Sequence, residues 1–312
     1  MKKLSIILTV ILSTIFFASC DESSSDSKGS VQFYVEPEWT IVNGIQPGDG
    51  EEEINDGWAV EYETFFVTLG DVTVAKTGSS SVFNDDNTYV MDLKNAPAGG
   101  LLVSEFNNVN AGDWDQVSYS MPFASATSQK LGTISDTDFN YMVNEGLAVR
   151  TTMVLTKTDG QTCPYLVEEV DPADPERPCY DLDEVTFDWD LPYAVEVSGC
   201  QTESQVGINI PSGGTTSVKL TLHADHHFFT AIRHTDLQRL AQPLINADLN
   251  ADGIVTLEEL DQVPVTVFDP MVYDLSTFPQ DMETLLDYVR WTTITFPHFQ
   301  GDGGCPTKNP LD

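Results

Sequence analysis

From residue 31 to residue 223 the chain is a succession of short β-branched and aromatic runs, each broken by Gly, Pro, Asn or Asp, a pattern that points to an antiparallel β domain. Strands are expected at 31–35, 58–69, 72–75, 89–93 and 116–121, with an acidic, turn-rich loop at 44–57 and a second loop, Asn-Asp-Asp-Asn, at 84–87. Further strands are expected at 147–157, 184–189, 194–197, 206–210 and 218–223. In the last of these Val218, Leu220 and Leu222 alternate onto one face. One short helix interrupts the series at 136–145, where a capping residue opens a near-helical apolar spacing and Gly146 stands at the stop position.

Beyond residue 223 the character turns helical. A helix at 236–241 has Thr235 or Asp236 as its cap, and Pro243 either kinks it or begins a new turn. A short helix at 256–263 is cut at Pro264. Residues 279–291 place Pro279 at a first helical position and Met282, Leu285, Leu286 and Val289 on one face, the best amphipathic pattern in the chain. The fold class expected is mainly β: an antiparallel β-sandwich over 31–223 with an α-helical segment, 224–312, packed on it.

Within that segment residues 248–259 read D-L-N-A-D-G-I-V-T-L-E-E. Oxygen-bearing side chains fall at the first, third, fifth, ninth and twelfth places with glycine at the sixth, and the run resembles an EF-hand calcium loop. The resemblance implies Ca2+ held by Asp248, Asn250, Asp252, the Ile254 carbonyl, Thr256 and both oxygens of Glu259. Gly253 takes the sharp bend and Val255 plugs the loop into the core. The flanks depart from the family, since Pro243 disturbs the incoming helix and Pro264 shortens the outgoing one. No second loop of this pattern occurs, so a structural ion with affinity on the order of 10⁻⁴ to 10⁻³ M is expected rather than a switch.

The chain has five histidines; His223, His226, His227 and His234 fall within twelve residues, and His298 stands apart. With Asp225, the clustered imidazoles form a candidate second metal site, the nitrogen-rich donor set that copper and zinc prefer. The competing expectation is that these rings cap the strand end and hydrogen-bond carboxylates.

Lys2 and Lys3 precede an apolar run from Leu4 to Phe17 that ends in Phe17-Ala18-Ser19-Cys20. The run is short for a bilayer span and reads as a signal peptide over 1–19. Its end resembles the lipobox of bacterial lipoproteins, with Phe17 where leucine is usual. That resemblance implies lipidation of Cys20, attachment to the membrane through the lipid, and a place in the bacterial cell envelope, periplasmic or exposed on the outer membrane. An ordinary cleaved signal is the alternative. Residues 20–30, rich in serine, are then a flexible tether.

Two lysines and no acid lie in 1–19, so their removal takes the net charge from −35 to −37. Such a surface repels nucleic acid and suits divalent cations or a basic partner, although no motif names a protein or small-molecule partner. Cys163, Cys179, Cys200 and Cys305 remain, an even number that in an exported chain points to two disulfides. Three connectivities exist. The favoured one joins Cys163 to Cys179 across a Pro- and acid-rich loop and Cys200 to Cys305, tying back the C-terminal tail.

The segments Phe66-Val67-Thr68-Leu69-Gly70-Asp71-Val72, Tyr141-Met142-Val143-Asn144-Glu145-Gly146 and Thr186-Phe187-Asp188-Trp189 resemble secreted β-sandwich proteins of the copper-associated MbnP-like family. They place no ligand. The chain lacks G-x-S-x-G, H-E-x-x-H and any glycine-rich phosphate loop, so no catalysis is expected. Acid pairs (Glu168 with Glu169, Asp188 with Asp190) and the tryptophans Trp39, Trp58, Trp114 and Trp189 leave a hydrolase or sugar-binding module as a third reading. The leading expectation is a lipid-anchored calcium-binding protein; the alternative is a transition-metal-binding or handling protein.

Overall fold

A computed structural model describes residues 27–165, 178–232, 237–278 and 281–311, with side chains to residue 306. The signal, the lipidation position Cys20, most of the tether, His234 and the acid pair Glu168/Glu169 lie outside the described residues. The mainly β expectation is borne out. One sheet has the order Gly303–Gly304, Pro297–Phe299, Thr215–Leu222, Lys28–Pro37, Leu101–Asn110. The other runs Ile254–Val255, Glu184–Leu191, Val149–Thr156, Ala59–Ala75, Gln116–Met121, Ala194–Ser198, Thr307–Leu311, with Val82–Asp92 bonded to both Ala59–Ala75 and Gln129–Leu131.

The sheets meet through alternate inward side chains. Phe65 lies 6.1 Å from Phe296 and Phe83 lies 5.8 Å from Phe106, ring centroid to centroid, and the Tyr119 hydroxyl donates to the His298 carbonyl at 2.7 Å. Val218, Leu220 and Leu222 are fully buried, as their alternation implies. Most pairings are antiparallel. Three are parallel: Lys28–Pro37 with Thr215–Leu222, Val82–Asp92 with Gln129–Leu131, and Glu184–Leu191 with Ile254–Val255.

The helix at Asp136–Glu145 forms where expected: the Ser135 hydroxyl accepts from the Asp138 amide at 3.1 Å, and Gly146 closes it in the left-handed conformation. Elsewhere tertiary pairing overrides local signals. Residues 84–87 are strand, because Val82–Asp92 pairs with Phe66–Ala75 of its hairpin partner and sets Asn84 against Thr73 and Asp85 against Val72. Expected strands 58–69 and 72–75 are one strand, Ala59–Ala75, carried through a bulge at Gly70 and Asp71. There a Cβ on Gly70 would sit 2.4 Å from the Asn87 carbonyl oxygen, and Asp71 has φ 53°.

The C-terminal segment is less helical than its pattern. Residues 237–241 are not helix; Arg239 instead bridges Phe229. Pro243 begins a new turn, Gln242–Ile245, whose amides at Ala241 and Gln242 donate to Asp56. The amphipathic helix is Leu285–Thr293 rather than 279–291, because the Thr284 hydroxyl and the Asp287 carboxylate cap one another's amides and set its start. After it the chain returns to the sandwich: Pro297–Phe299 joins the first sheet and Thr307–Leu311 the second. One hydrophobic core therefore contains residues from Val31 to Cys305. Cys163 pairs with Cys179 and Cys200 with Cys305, as expected.

Candidate metal centre

His223 follows the last residue of Thr215–Leu222, and its amide donates to the Phe296 carbonyl at 3.1 Å. The chain then tightens into a 3₁₀ turn, Ala224–Phe228, that buries Asp225, His226 and His227. Antiparallel pairing of Leu222 with Pro297 and Thr221 with His298 brings the fifth histidine alongside. The His223 and His298 rings stack at 4.1 Å, and His226 lies 5.2 Å from His298 and 5.8 Å from His223. One ligand-capable atom from each of the three histidines falls within 4.8 Å of the others, and a second such group joins Glu38, His223 and Asp225.

Hydrogen bonding fixes which nitrogens are free. The Thr295 hydroxyl donates to the Thr292 carbonyl at 2.7 Å, so toward His226 Nδ1, 2.9 Å away, it acts as acceptor. That assignment puts the proton on Nδ1 and leaves the Nε2 lone pair of His226 available. His298 Nδ1 is buried without a hydrogen-bond partner. Burial, reinforced by the neighbouring histidines and Arg239, holds His226 well below the usual imidazole range; burial and the His223 charge take His298 down to about 3, so both stay neutral.

His223 differs. Burial pulls its pKa down, but the Glu38 carboxylate 3.3 Å from Nδ1, with Asp225 nearby, outweighs this and raises it. Glu38 ends held low: burial pushes it up, while His223, Thr40 and Arg239 more than compensate. Asp225 is pushed up to about 7 by burial and by Glu38, although the Arg239 guanidinium lies 2.7 Å from its Oδ2. Arg239 also reaches Glu52 at 2.7 Å, so an internal cation already serves the acidic side of the cluster.

The structure thus brings together His223, His226 and, on its acidic side, Asp225. It sets His227 apart: its Nδ1 faces the Thr292 hydroxyl at 2.9 Å, its ring packs on Trp189 and Phe296, and it belongs to neither ligand group. Burial takes it to about 3. His298 and Glu38 were not singled out from sequence as ligands. The signal for His298 was available: Pro297-His298-Phe299 alternates apolar, polar, apolar, as a half-buried strand does. Glu38, one residue past the first strand, carries no such mark.

The loop 248–259 is a tight turn held by bonds from its own side chains to its own amides. Asp248 is fully buried and accepts from the amides of Asp252 and Gly253; Asn250 accepts from Asp252, and Asp252 from Ile254. Glu259 accepts from the amides of Leu249 and Thr256, and Thr256 caps the helix Leu257–Gln262. Gly253 has φ 82°. Ile254–Val255 adds in parallel to Glu184–Leu191, and the Val255 carbonyl accepts from Trp189 Nε1 at 2.9 Å. The three carboxylates of the loop are not gathered within 4.8 Å of one another in this form.

The remaining candidates have structural partners. Asp188 and Asp190 flank Arg150 at 3.9 and 3.5 Å, and Tyr141 donates to Asp190. Trp58, Trp114 and Trp189 are buried, and Trp39 is 43% exposed. The two disulfides mark a fold made in an oxidising, extracytoplasmic compartment. No helix among the described residues is long and apolar enough to cross a membrane. No family model, curated protein or solved structure matches this chain.

Proposed function

We propose that this chain is a metal-binding protein of the bacterial cell envelope, with His223, His226 and His298 holding one copper or zinc ion and a calcium ion stiffening 248–259. The observation that carries the reading is the convergence of three imidazoles from two strand ends and a turn. Three nitrogen donors, two kept neutral by burial, suit a borderline ion better than calcium, which takes hard oxygens. Glu38 stands behind His223 as the carboxylate that orients a ligating imidazole and strengthens it as a donor. Asp225 is left to Arg239, so the ion sees nitrogen first.

Calcium in the loop is supported by a different observation: Asp248, Asn250, Asp252, Thr256 and Glu259 are ordered by local hydrogen bonds about the Gly253 bend and fastened to the sandwich through Ile254–Val255, so an ion would have to draw the carboxylates together. Binding the folded form alone would stabilise it by mass action. Attachment through a lipid on Cys20, binding without catalysis, and kinship with the MbnP-like family belong to the same proposal and rest on sequence.

Equilibrium dialysis of the chelator-stripped protein against micromolar zinc or copper tests the histidine reading. His226→Ala should weaken binding by more than about 100-fold, beyond the 10- to 100-fold that a supporting partner contributes. Equal metal content in wild type and variant contradicts it.

A further inference from the structure

One side of the histidine cluster opens onto a cavity of about 270 Å³ lined by His226, His298, Phe229, Ile232, Ile294 and Asp302 among others. His223 is not part of its lining; it faces Glu38 and Asp225 on the other side. The cavity is roughly nine times the volume a water molecule occupies in the liquid. That makes it somewhat smaller than a site for a drug-sized ligand. A structural metal site is closed by four protein ligands, whereas a centre with three protein ligands beside a cavity keeps a position for something else.

We infer that the three-histidine centre, on the metal reading given above, keeps one coordination position open to this cavity and takes a small neutral nitrogen donor of the imidazole class there. The walls say which class. Phe229 lies against His226 at 4.3 Å between ring centroids, and with Ile232 and Ile294 it gives the cavity an apolar body. Asp302, an exposed carboxylate, stands in the lining, and the chain carries a formal charge of −35. Asp302 opposes a small anion while the ion and Arg239, 4.8 Å over the Phe229 ring, attract one, so the apolar walls decide: a neutral ring with one lone pair meets them and the metal. Binding is a ligand exchange: the nitrogen lone pair replaces a water on the metal, and no electron or proton is transferred.

The test uses the full mature chain loaded with Co(II), whose visible absorption reports coordination number and ligand type. Imidazole should shift the spectrum saturably, with azide at least tenfold weaker. Ile232→Trp, at a partly buried wall position away from the ligands, should retain cobalt and lose the imidazole response; Asp302→Asn should retain it and narrow the gap to azide. Cobalt bound with no response to imidazole in wild type overturns the open position and leaves the metal reading standing. A response undiminished in Ile232→Trp overturns the cavity as its route, and azide binding more tightly than imidazole overturns the ligand class. Failure to bind cobalt, zinc or copper at all overturns the metal reading and this inference together.

Discussion

The acidic loop and the histidine cluster are two candidate ion sites, built in different ways on one sandwich. The loop takes its shape from twelve contiguous residues: Asp248, Asn250 and Asp252 bond to amides no more than five residues away, and Glu259 reaches back to Leu249. The cluster has no local code. His223 and His226 sit at a strand end and in a turn, and His298 reaches them only because Pro297–Phe299 pairs with Thr215–Leu222 in one register. A slip of one residue would turn His298 to the other face. Each site also has a disulfide beside it. Cys163 lies where its amide bonds the Asn246 side chain at 2.9 Å, just before the loop, and Cys305 lines the cavity at the cluster.

This contrast can be broken experimentally. Replacing Cys200 and Cys305 together by serine removes a link across 105 residues and should cost about 4.7 kcal/mol, against about 3 kcal/mol for Cys163 with Cys179 across 16, read from denaturant midpoints. The first pair should also weaken transition-metal binding by freeing the His298 strand, and the second should not. Equal costs with no difference in metal affinity would dissolve the distinction.

Next in size is the response of the loop to its ion. Calcium at about 100 times its dissociation constant should stabilise the fold by about 2.7 kcal/mol, a rise in Tm of roughly 4–5 °C for a chain of this size. Asp248→Ala or Glu259→Gln should remove the rise, and His298→Ala should leave it intact; thermal melts with and without calcium decide.

The smallest effect concerns Asp56, which holds the amides of Ala241 and Gln242 at the entry to the loop and has Oδ1 buried without a partner. Burial raises its carboxyl above the ordinary 3.8 despite those bonds and Lys157. The folded chain thus holds this proton more tightly than the unfolded one. Its contribution is fully present below pH 3.8 and is lost as pH rises through the folded value. Asp56→Asn has no such loss, so its Tm relative to wild type should climb as pH rises above 3.8 and through the folded value. A flat difference means that Asp56 titrates alike in both states.

What could be read from the sequence follows the same division. Alternation gave Val218, Leu220 and Leu222 their face, a capping residue and Gly146 bounded the helix 136–145, and the two disulfides followed from four cysteines in an exported chain. All of these are local or combinatorial signals. Leu101–Asn110 carried no strand expectation, and 84–87 looked like a loop because its polar residues face outward on a hairpin whose partner supplies the pairing. The start of the helix Leu285–Thr293 was set by a reciprocal cap that competes with the proline signal upstream. At the candidate centre, the clustered histidines drew attention to the right turn. They could not show that His227 points into the core against Trp189, or that His298, 71 residues past His227, completes the group.

On the function proposed above, two different ions occupy two separately encoded sites, which elemental analysis of the purified mature protein beside His298→Ala and Asp248→Ala can decide. The wild type should hold calcium and one copper or zinc, His298→Ala should lose the transition metal and keep calcium, and Asp248→Ala should do the reverse. Full transition-metal content in His298→Ala, or none in the wild type, would contradict it.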